Sequence, residues 1–351
     1  MPPTHAHFNG SVNLADTESV MLEITSRVPS GLRRLPDGET GDRDNWILFQ
    51  LQKFMQWPSL TTAQLGDGGQ GDYERPPQLQ LADGVDPAEM TWPNLGYADA
   101  YLASYQTFLA LRERGVVPAE VRFQVEYPTP MASIGAYIVP DQQATLLPSY
   151  QKAMFADLDR VLAAIPPDEV AVQWDVAVEF GVLEEAFGPG GAQAYHMIVA
   201  ALVRCVDQVP AEVPAGLHLC YGDYAHTHFK QPESLALQVR VLNAVAAAAS
   251  RPVSFVSFTV PQYQRDEAYF APLAELADLG IELNFALVPY HPAEQAAGTT
   301  DDQVRLIDAA LASSPGGLRD WGVCTECGMG QVDRADVPAL LDLHRTIIAA
   351  D

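Results

Sequence analysis

Short apolar runs, each closed by turn residues such as Gly, Pro, Asn or Asp, recur along the chain and predict β-strands. The predicted strands cover residues 5–10, 32–36, 120–126, 169–175, 214–220, 253–259, 281–288 and 320–325. Helical spacing of apolar residues predicts helices over residues 16–28, 43–56, 97–114, 141–164, 191–207, 233–249, 265–278, 299–313 and 335–349. Eight strands that alternate with helices indicate an α/β fold, most often a (β/α)8 TIM barrel, with a doubly wound sheet as the alternative.

One segment, residues 57–96, interrupts this alternation. It follows the second βα unit, is polar, and contains the glycine-rich run 66–72 without a clear period. Loops of this length in compact domains are usually functional or disordered. We therefore predict a single TIM-barrel domain over residues 1–351, with an inserted loop segment that is either a lid over the barrel mouth or a decorative insertion.

The bulk composition narrows the classes of partner. Apolar residues make up 48% of the chain, and the net charge of −25 argues against the basic face that nucleic acids and anionic membranes require. No apolar run reaches the roughly 18 residues of a membrane span, and the N-terminus lacks the features of a signal peptide. Four cysteines in so long a chain fit a reducing cytoplasm better than a disulfide framework. Small molecules are the expected partners, and the sequence leaves an oligomer open.

Polar or thiol residues follow the predicted strands at the end where a TIM barrel carries its active site. These strand ends carry, in order, Gly10-Ser11, Pro36-Asp37-Gly38-Glu39, Glu126-Tyr127, Trp174-Asp175, His218-Leu219-Cys220, Phe258-Thr259, Tyr290-His291 and Glu326-Cys327-Gly328. Because they occupy equivalent positions along the chain, they favour one catalytic or binding site over scattered polar residues.

A metal site is predicted at two of these strand ends. His218 and Cys220 are two residues apart in an apolar run, so both side chains should face the same side of a strand. Imidazole and thiolate are ligands that zinc prefers, and the motif Cys324-Thr325-Glu326-Cys327 offers a further thiol. This CxxC differs from a redox motif, since glycines follow where a helix should begin. In a regular strand Cys324 and Cys327 would face opposite sides, so Cys327 is predicted as the ligand and Cys324 as a core residue.

The strand ends resemble those of the C-terminal catalytic barrel of cobalamin-independent methionine synthase, in the superfamily that it shares with uroporphyrinogen decarboxylase. The similarity covers nearly the whole chain, and its motifs match in order and spacing. The motifs are Gly10-Ser11, Gly38-Glu39, Asp175, His218-x-Cys220-Tyr221 and Cys327-Gly328. The chain is also similar to short, single-barrel relatives that carry the stretch Pro-Asp-Gly-Glu-Thr-Gly-Asp-Arg, which is residues 36–43 here.

The resemblance implies a zinc site beside an amino-acid site. In that family a His, two Cys and a Glu of the sixth strand bind zinc, and the zinc holds the acceptor thiol of homocysteine. The implied metal ligands are His218, Cys220 and Cys327. Glu39 and Asp175 are implied partners of a substrate ammonium, with the Gly10-Ser11 backbone near the substrate carboxylate.

The chain departs from the family pattern at the sixth strand, where Thr259 stands in place of the glutamate ligand. The site then has three protein ligands, or His291 or Glu326 completes it. No counterpart of the half that helps methionine synthase to hold its long folate is found among these residues. The methyl donor is therefore left open between a corrinoid, a short folate and another small methylated compound.

These observations predict a zinc-dependent methyl- or alkyltransferase that activates a small, homocysteine-like thiol as a metal-bound thiolate. The candidates for proton transfer are Asp223, His226 and His291. A metal-independent decarboxylase of the same superfamily is one alternative, and it would need a basic cluster such as Arg33, Arg34 and Arg43. The other alternative is a non-catalytic barrel that binds zinc or a thiol compound.

Overall fold

All eight predicted strands form, and they lie in one parallel sheet. The computed structural model describes residues 3–63, 77–222 and 227–348. Its strands are β1 (His5–Ala6), β2 (Arg34–Pro36), β3 (Leu60–Thr62), β4 (Leu79–Leu81), β5 (Arg122–Pro128), β6 (Val170–Val176), β7 (Ala215–Leu219), β8 (Phe255–Phe258), β9 (Glu282–Ala286) and β10 (Trp321–Cys324). The order in the large sheet is β1-β10-β9-β8-β7-β6-β5-β2. From β2 to β10 the strands adjacent in this sheet follow one another in the chain, apart from the separate β3–β4 hairpin, and the first strand β1 pairs with the last strand β10.

Helices connect the strands of the large sheet, which gives the chain its α/β architecture. They are α1 (Thr17–Arg27), α2 (Trp46–Met55), α3 (Tyr97–Glu113), α4 (Pro130–Tyr137), α5 (Pro140–Ala164), α6 (Val178–Leu183), α7 (Gly191–Gln208), α8 (Ala236–Ala248), α9 (Glu267–Phe270), α10 (Thr299–Ala312) and α11 (Val337–Ile348). Within the described ranges, none of the helices combines the length and apolar character that crossing a bilayer requires.

The sheet has an apolar face that packs against the helices. Successive side chains of a strand point to opposite faces, so alternate residues of each strand share an environment. Phe123 of β5 contacts Phe108 of α3, with ring centroids 5.4 Å apart. Trp174 of β6 contacts Phe155 of α5 at 5.9 Å. Phe108, Phe123 and Trp174 belong to the hydrophobic core between the sheet and the surrounding helices, and the partly buried Phe155 packs against that core.

The opposite face of the sheet carries polar side chains. Some of them bond across strands that are not neighbours in the sheet, which shows that this face is concave. His7, directly after β1, is bonded to Gln173 of β6, with 2.8 Å between Nε2 and Oε1. The two edges of the sheet also approach each other, since an isolated parallel bridge joins Ala6 of β1 to Leu32, just before β2. The sheet is therefore strongly curled around its polar face.

The short helices α4 and α6 were not predicted, and two further parts of the chain differ from the predicted elements. The helix predicted over 265–278 is replaced by α9 and a 3-10 turn over Ala271–Glu275, because Pro272 lacks the N–H that would continue an α-helix. The predicted loop insertion contains the β3–β4 hairpin, whose Leu79 carbonyl accepts a hydrogen bond from Val139 beside α5. Residues 64–76 lie outside the described ranges, so the lid stays a prediction.

A buried histidine makes the stability of this fold dependent on pH. His344 of α11 is fully buried, packs against the ring of Phe8 at 4.8 Å, and donates from Nδ1 to the Leu340 carbonyl at 2.8 Å. Burial lowers the pKa of His344 to about 4, against the smaller opposing effect of that carbonyl. The unfolded chain takes up this proton near pH 6.5, whereas the folded chain does so only near pH 4. The folded state should therefore lose stability as the pH falls from about 6.5 towards 4.

The unfolding free energy should decrease between pH 7 and pH 5, and we expect this decrease to be smaller by roughly 2 kcal/mol in His344→Phe. Urea unfolding at the two pH values measures this difference directly. The matched control is His196→Phe, which changes an exposed histidine of α7 and should leave the pH dependence as it is. An unaltered decrease in His344→Phe would show that this imidazole is protonated in the folded state.

Candidate functional site

The structure brings His218, Cys220 and Cys327 together at the C-terminal ends of the strands. His218 lies in β7, and the backbone N–H of Cys220 continues the strand pairing by donating to the Val176 carbonyl at 2.9 Å. Cys327 lies in the loop after β10, where its N–H donates to the Tyr290 hydroxyl at 2.8 Å. One ligand atom from each of the three side chains lies within 4.8 Å of the others.

The three side chains influence one another electrostatically. The pKa of Cys220 is well below its ordinary value, because its sulfur accepts a hydrogen bond from Cys327 and lies beside His218, although burial opposes this shift. Burial also disfavours protonated His218, but Cys220 and Asp175 outweigh that effect and raise the pKa of His218 well above its usual value. Thiolate character at Cys220 is therefore stabilised within the group itself.

This donor set fits zinc. Two thiols and one imidazole are ligands typical of zinc sites, and a set of three leaves a coordination position for a substrate. Cys324 does not belong to the group: it is fully buried in β10, and burial raises its pKa. Cys205 of α7 is likewise buried with a raised pKa. Cys327 contributes because it lies beyond the end of β10, in a loop that turns towards β7, and not because of strand alternation.

Thr259, at the position where a glutamate ligand was expected, and Glu326, one of the two candidates for a fourth ligand, have other partners. The second candidate, His291, lines a neighbouring cavity. The Thr259 hydroxyl donates to the Leu219 carbonyl at 2.7 Å. The Glu326 carboxylate contacts His228 Nε2 at 2.6 Å and accepts a hydrogen bond from the Gln262 backbone at 2.9 Å. Among the described residues, the candidate metal group therefore has three members.

A turn at the end of β2 places Glu39 in the site. Gly38 adopts φ +79°, and a Cβ there would lie 2.6 Å from a Val20 methyl, so the turn requires glycine. Glu39 itself has φ +53°, a left-handed conformation that is uncommon outside glycine, and its N–H donates to Asp37 Oδ1 at 2.9 Å. In this conformation the Glu39 carboxylate accepts a hydrogen bond from the Ser11 hydroxyl.

The buried carboxylates of Glu39, Glu126 and Asp175 lie near one another beside this turn. A Cβ on Gly10 would lie 3.3 Å from Glu126 Cγ and 3.6 Å from Glu39 Cδ, so the Gly10 backbone lies directly against both side chains. Burial raises the pKa of Glu39 to about 8, opposed by Arg43 and assisted by Asp175. Burial and Glu39 likewise raise the pKa of Glu126 well above its usual value. Carboxylates this close to one another repel when they are ionised, and a bound cation would offset that repulsion. The cluster therefore favours a positively charged ligand.

Glu126 and His228, to which the sequence assigned no ligand or catalytic role, also lie at the candidate site. Glu126 lies on β5, and its carboxylate accepts a hydrogen bond from the Gln124 amide at 2.7 Å. The position of Glu126 at the end of a predicted strand could have indicated that it belongs to the site. His228 contacts Glu326 across the loops after β7 and β10. Nothing in the sequence around His228 indicates that contact, because the two residues are far apart in the chain.

The predicted proton-transfer residues are partly placed. His291 lines a cavity of about 90 Å³ together with His228, Tyr290 and Glu326. Tyr290 also binds the backbone of Cys327, so the cavity lies beside the candidate metal group. Asp223 and His226 lie outside the described residues, and their roles stay predictions.

The three arginines that a decarboxylase would need do not form one cluster. Arg33 and Arg34 both pair with Glu282, at the start of β2 and β9 and thus at the opposite end of the sheet from the candidate metal group. Arg43 pairs with Asp37. These three side chains therefore do not form a basic cluster that could bind several substrate carboxylates together.

Comparison with known proteins supports the fold. No family model matches the sequence, and no curated protein matches it. The chain is similar to the solved structure of "Putative Vitamin-B12 Independent Methionine Synthase from Listeria monocytogenes", with a TM-score of 0.55 and 11% sequence identity, over 99% of this chain and 98% of that chain. At this identity the similarity shows a shared α/β fold over the full length of both chains.

Proposed function

We propose that this protein is a zinc-dependent methyl- or alkyltransferase that uses a small amino-thiol as its acceptor. The observation that carries the proposal is the convergence of His218, Cys220 and Cys327 beside buried carboxylates at the C-terminal ends of the strands. The architecture supports it, since the neighbour with the same fold bears the name of a methionine synthase. The fold alone does not determine the chemistry, so the argument rests on the site.

The fold supports a closed barrel as the scaffold of this site. The strand order follows the chain around the sheet, and the parallel bridge between Ala6 and Leu32 links its two edge strands. The loops after β1 and β10 also pair, since Val12 and Met329 form a second bridge. We infer a single (β/α)8 barrel domain whose mouth holds the candidate metal group.

Each side chain has a distinct part in this proposal. His218, Cys220 and Cys327 would hold zinc, which supplies a deprotonated thiol at neutral pH because coordination removes the thiol proton. Glu39 and Asp175 would pair with the ammonium of the amino-thiol, and the Gly10-Ser11 backbone would lie near its carboxylate. Of the three candidates for proton transfer, His291 is the one among the described residues, and it lines the cavity beside the candidate metal group.

We expect Glu39→Gln to weaken homocysteine binding to the zinc-loaded protein by about tenfold to a hundredfold, since a hydrogen bond to a charged group contributes about 1.5–3 kcal/mol. Calorimetric titration measures the change. Glu39 is the better test residue, because Asp175 also contacts His218.

The control ligand for Glu39→Gln is 4-mercaptobutyrate, which keeps the thiol and lacks the ammonium. Its affinity should be the same in the variant and the unaltered protein. Equal losses for both thiols would mean that Glu39 supports the site without recognising an ammonium. A methyl-transfer assay with candidate donors then tests catalysis, and zinc binding without any transfer would favour the non-catalytic alternative.

A further inference from the structure

The polar face of the sheet holds a continuous chain of hydrogen bonds that ends at His218. The register of β6 and β7 places Asp175 directly opposite His218. Asp175 Oδ1 lies 3.1 Å from His218 Nδ1. A carboxylate that accepts from one imidazole nitrogen fixes the ring and directs the other nitrogen towards a metal. His218 Nε2 lies 3.2 Å from the Glu326 carbonyl oxygen, a contact that a bound metal would replace. Asp175 thus has a contact that bears on the metal ligand as well as on a substrate.

Asp175 is itself held by Gln173, its neighbour on the same face of β6. Gln173 Nε2 donates to Asp175 Oδ1 at 2.9 Å and lies 3.3 Å from the Asn9 carbonyl. Gln173 is fully buried, so water does not replace these bonds when they are lost. The same carboxylate oxygen therefore receives both the Gln173 amide and the His218 imidazole.

His7 determines which way the Gln173 amide points. Its Nε2 lies 2.8 Å from Gln173 Oε1, and burial lowers the pKa of His7 to about 3, so the ring is neutral and donates a single N–H here. With its oxygen engaged by His7, the amide must present its NH2 group to Asp175. Without that donor the amide could rotate and set its oxygen against the carboxylate, which is repulsive.

We propose that Gln173 and His7 are positioning residues for the metal ligand His218, and that they act through Asp175. This inference rests on the metal centre of the proposed function. It goes beyond that function because neither residue lies in the ligand group or in the carboxylate cluster, and the chain of bonds runs from β1 through β6 to β7. Partners of this kind typically change metal affinity by about 10- to 100-fold when they are lost.

The test is zinc affinity, measured by competition with a chromophoric chelator, in Gln173→Met and His7→Phe. We expect each variant to bind zinc about tenfold more weakly, at the lower end of that range because the effect passes through Asp175. The double variant should be little worse than Gln173→Met alone, because both changes break the same chain. The thiolate-to-metal absorption of the cobalt-substituted protein should shift in the same variants, which a general loss of stability would not produce.

His344→Phe is the matched control, since it also replaces a fully buried imidazole but lies on α11, outside the chain of bonds. It should keep the zinc affinity and the cobalt spectrum of the unaltered protein. If folded Gln173→Met and His7→Phe both bind zinc as tightly as the unaltered protein, the positioning role is wrong while the metal centre stands. If the unaltered protein binds neither zinc nor cobalt, the proposed function fails first and this inference with it.

Discussion

Replacing Cys220 or Cys327 by serine is expected to abolish stoichiometric zinc binding, from about one zinc per chain in the unaltered protein to a small fraction. Each sulfur lies within 4.8 Å of the other ligand atoms, and the group has three members among the described residues. Removing one would leave two ligands, too few for a catalytic zinc site. The affinity should fall by more than about 100-fold, beyond the range for residues that only support a ligand.

Metal analysis of the purified proteins and chelator competition measure this effect. The matched control is Cys205→Ser, because Cys205 is as deeply buried as Cys220 but belongs to the core of α7. That variant should retain its zinc even if it loses some stability. Full metal content in Cys220→Ser or Cys327→Ser would overturn the ligand assignment.

Glu282→Ala is expected to lower the unfolding free energy by about 3–5 kcal/mol, because removal of one member of a buried ion pair leaves the other charge uncompensated. Arg34, whose side chain is 7% exposed, pairs with Glu282 and lies over the Phe255 ring at 3.9 Å. His5 Nε2 approaches the same carboxylate at 3.4 Å. These contacts lie on the polar face at the end opposite the candidate metal group.

Urea unfolding at neutral pH measures the loss in Glu282→Ala. Arg33→Gln is the control. Arg33 lies 2.9 Å from the same carboxylate, but its own side chain is 45% exposed. An exposed pair contributes only about 0–1 kcal/mol, so this control should be nearly neutral. The double variant Arg34→Met with Glu282→Met should recover most of the stability, because replacing both charges by apolar groups is often neutral. A loss as small as that of Arg33→Gln would show that Arg34 reaches solvent when its partner is removed.

The two ends of the polar face therefore have different tasks. At one end the charges of Arg34 and Glu282 neutralise each other. At the other, Glu39 and Glu126 lie close together, and burial together with their mutual proximity raises the pKa of both carboxyl groups. Groups whose pKa values are perturbed in this way cluster at functional sites. This contrast favours the carboxyl ends of the strands as the location of the proposed site, without reference to any relative.

Much of the fold could be predicted from the sequence because it depends on local pattern. Apolar runs and helical spacing located all eight strands of the sheet and most helices, and strand ends in a parallel α/β sheet share one edge. The same reasoning indicated His218 and Cys220, since two residues at i and i+2 of one strand face the same side whatever the rest of the chain does. Local rules failed at Pro272, where a missing N–H shortened a periodic helix.

Tertiary structure alone decided the contacts between distant parts of the chain. Cys327 reaches Cys220 through a loop beyond β10, Gln173 bonds His7 just after β1, and Asp175 bonds His218 of β7. Such contacts depend on strand register and on the curl of the sheet, which hydrophobic periodicity does not encode. The sequence by itself determined the elements, their alternation and the side chains offered at each strand end. Which of those side chains meet, and which neighbours hold them, followed only from the packing of the strands in one curled sheet with a shared polar face.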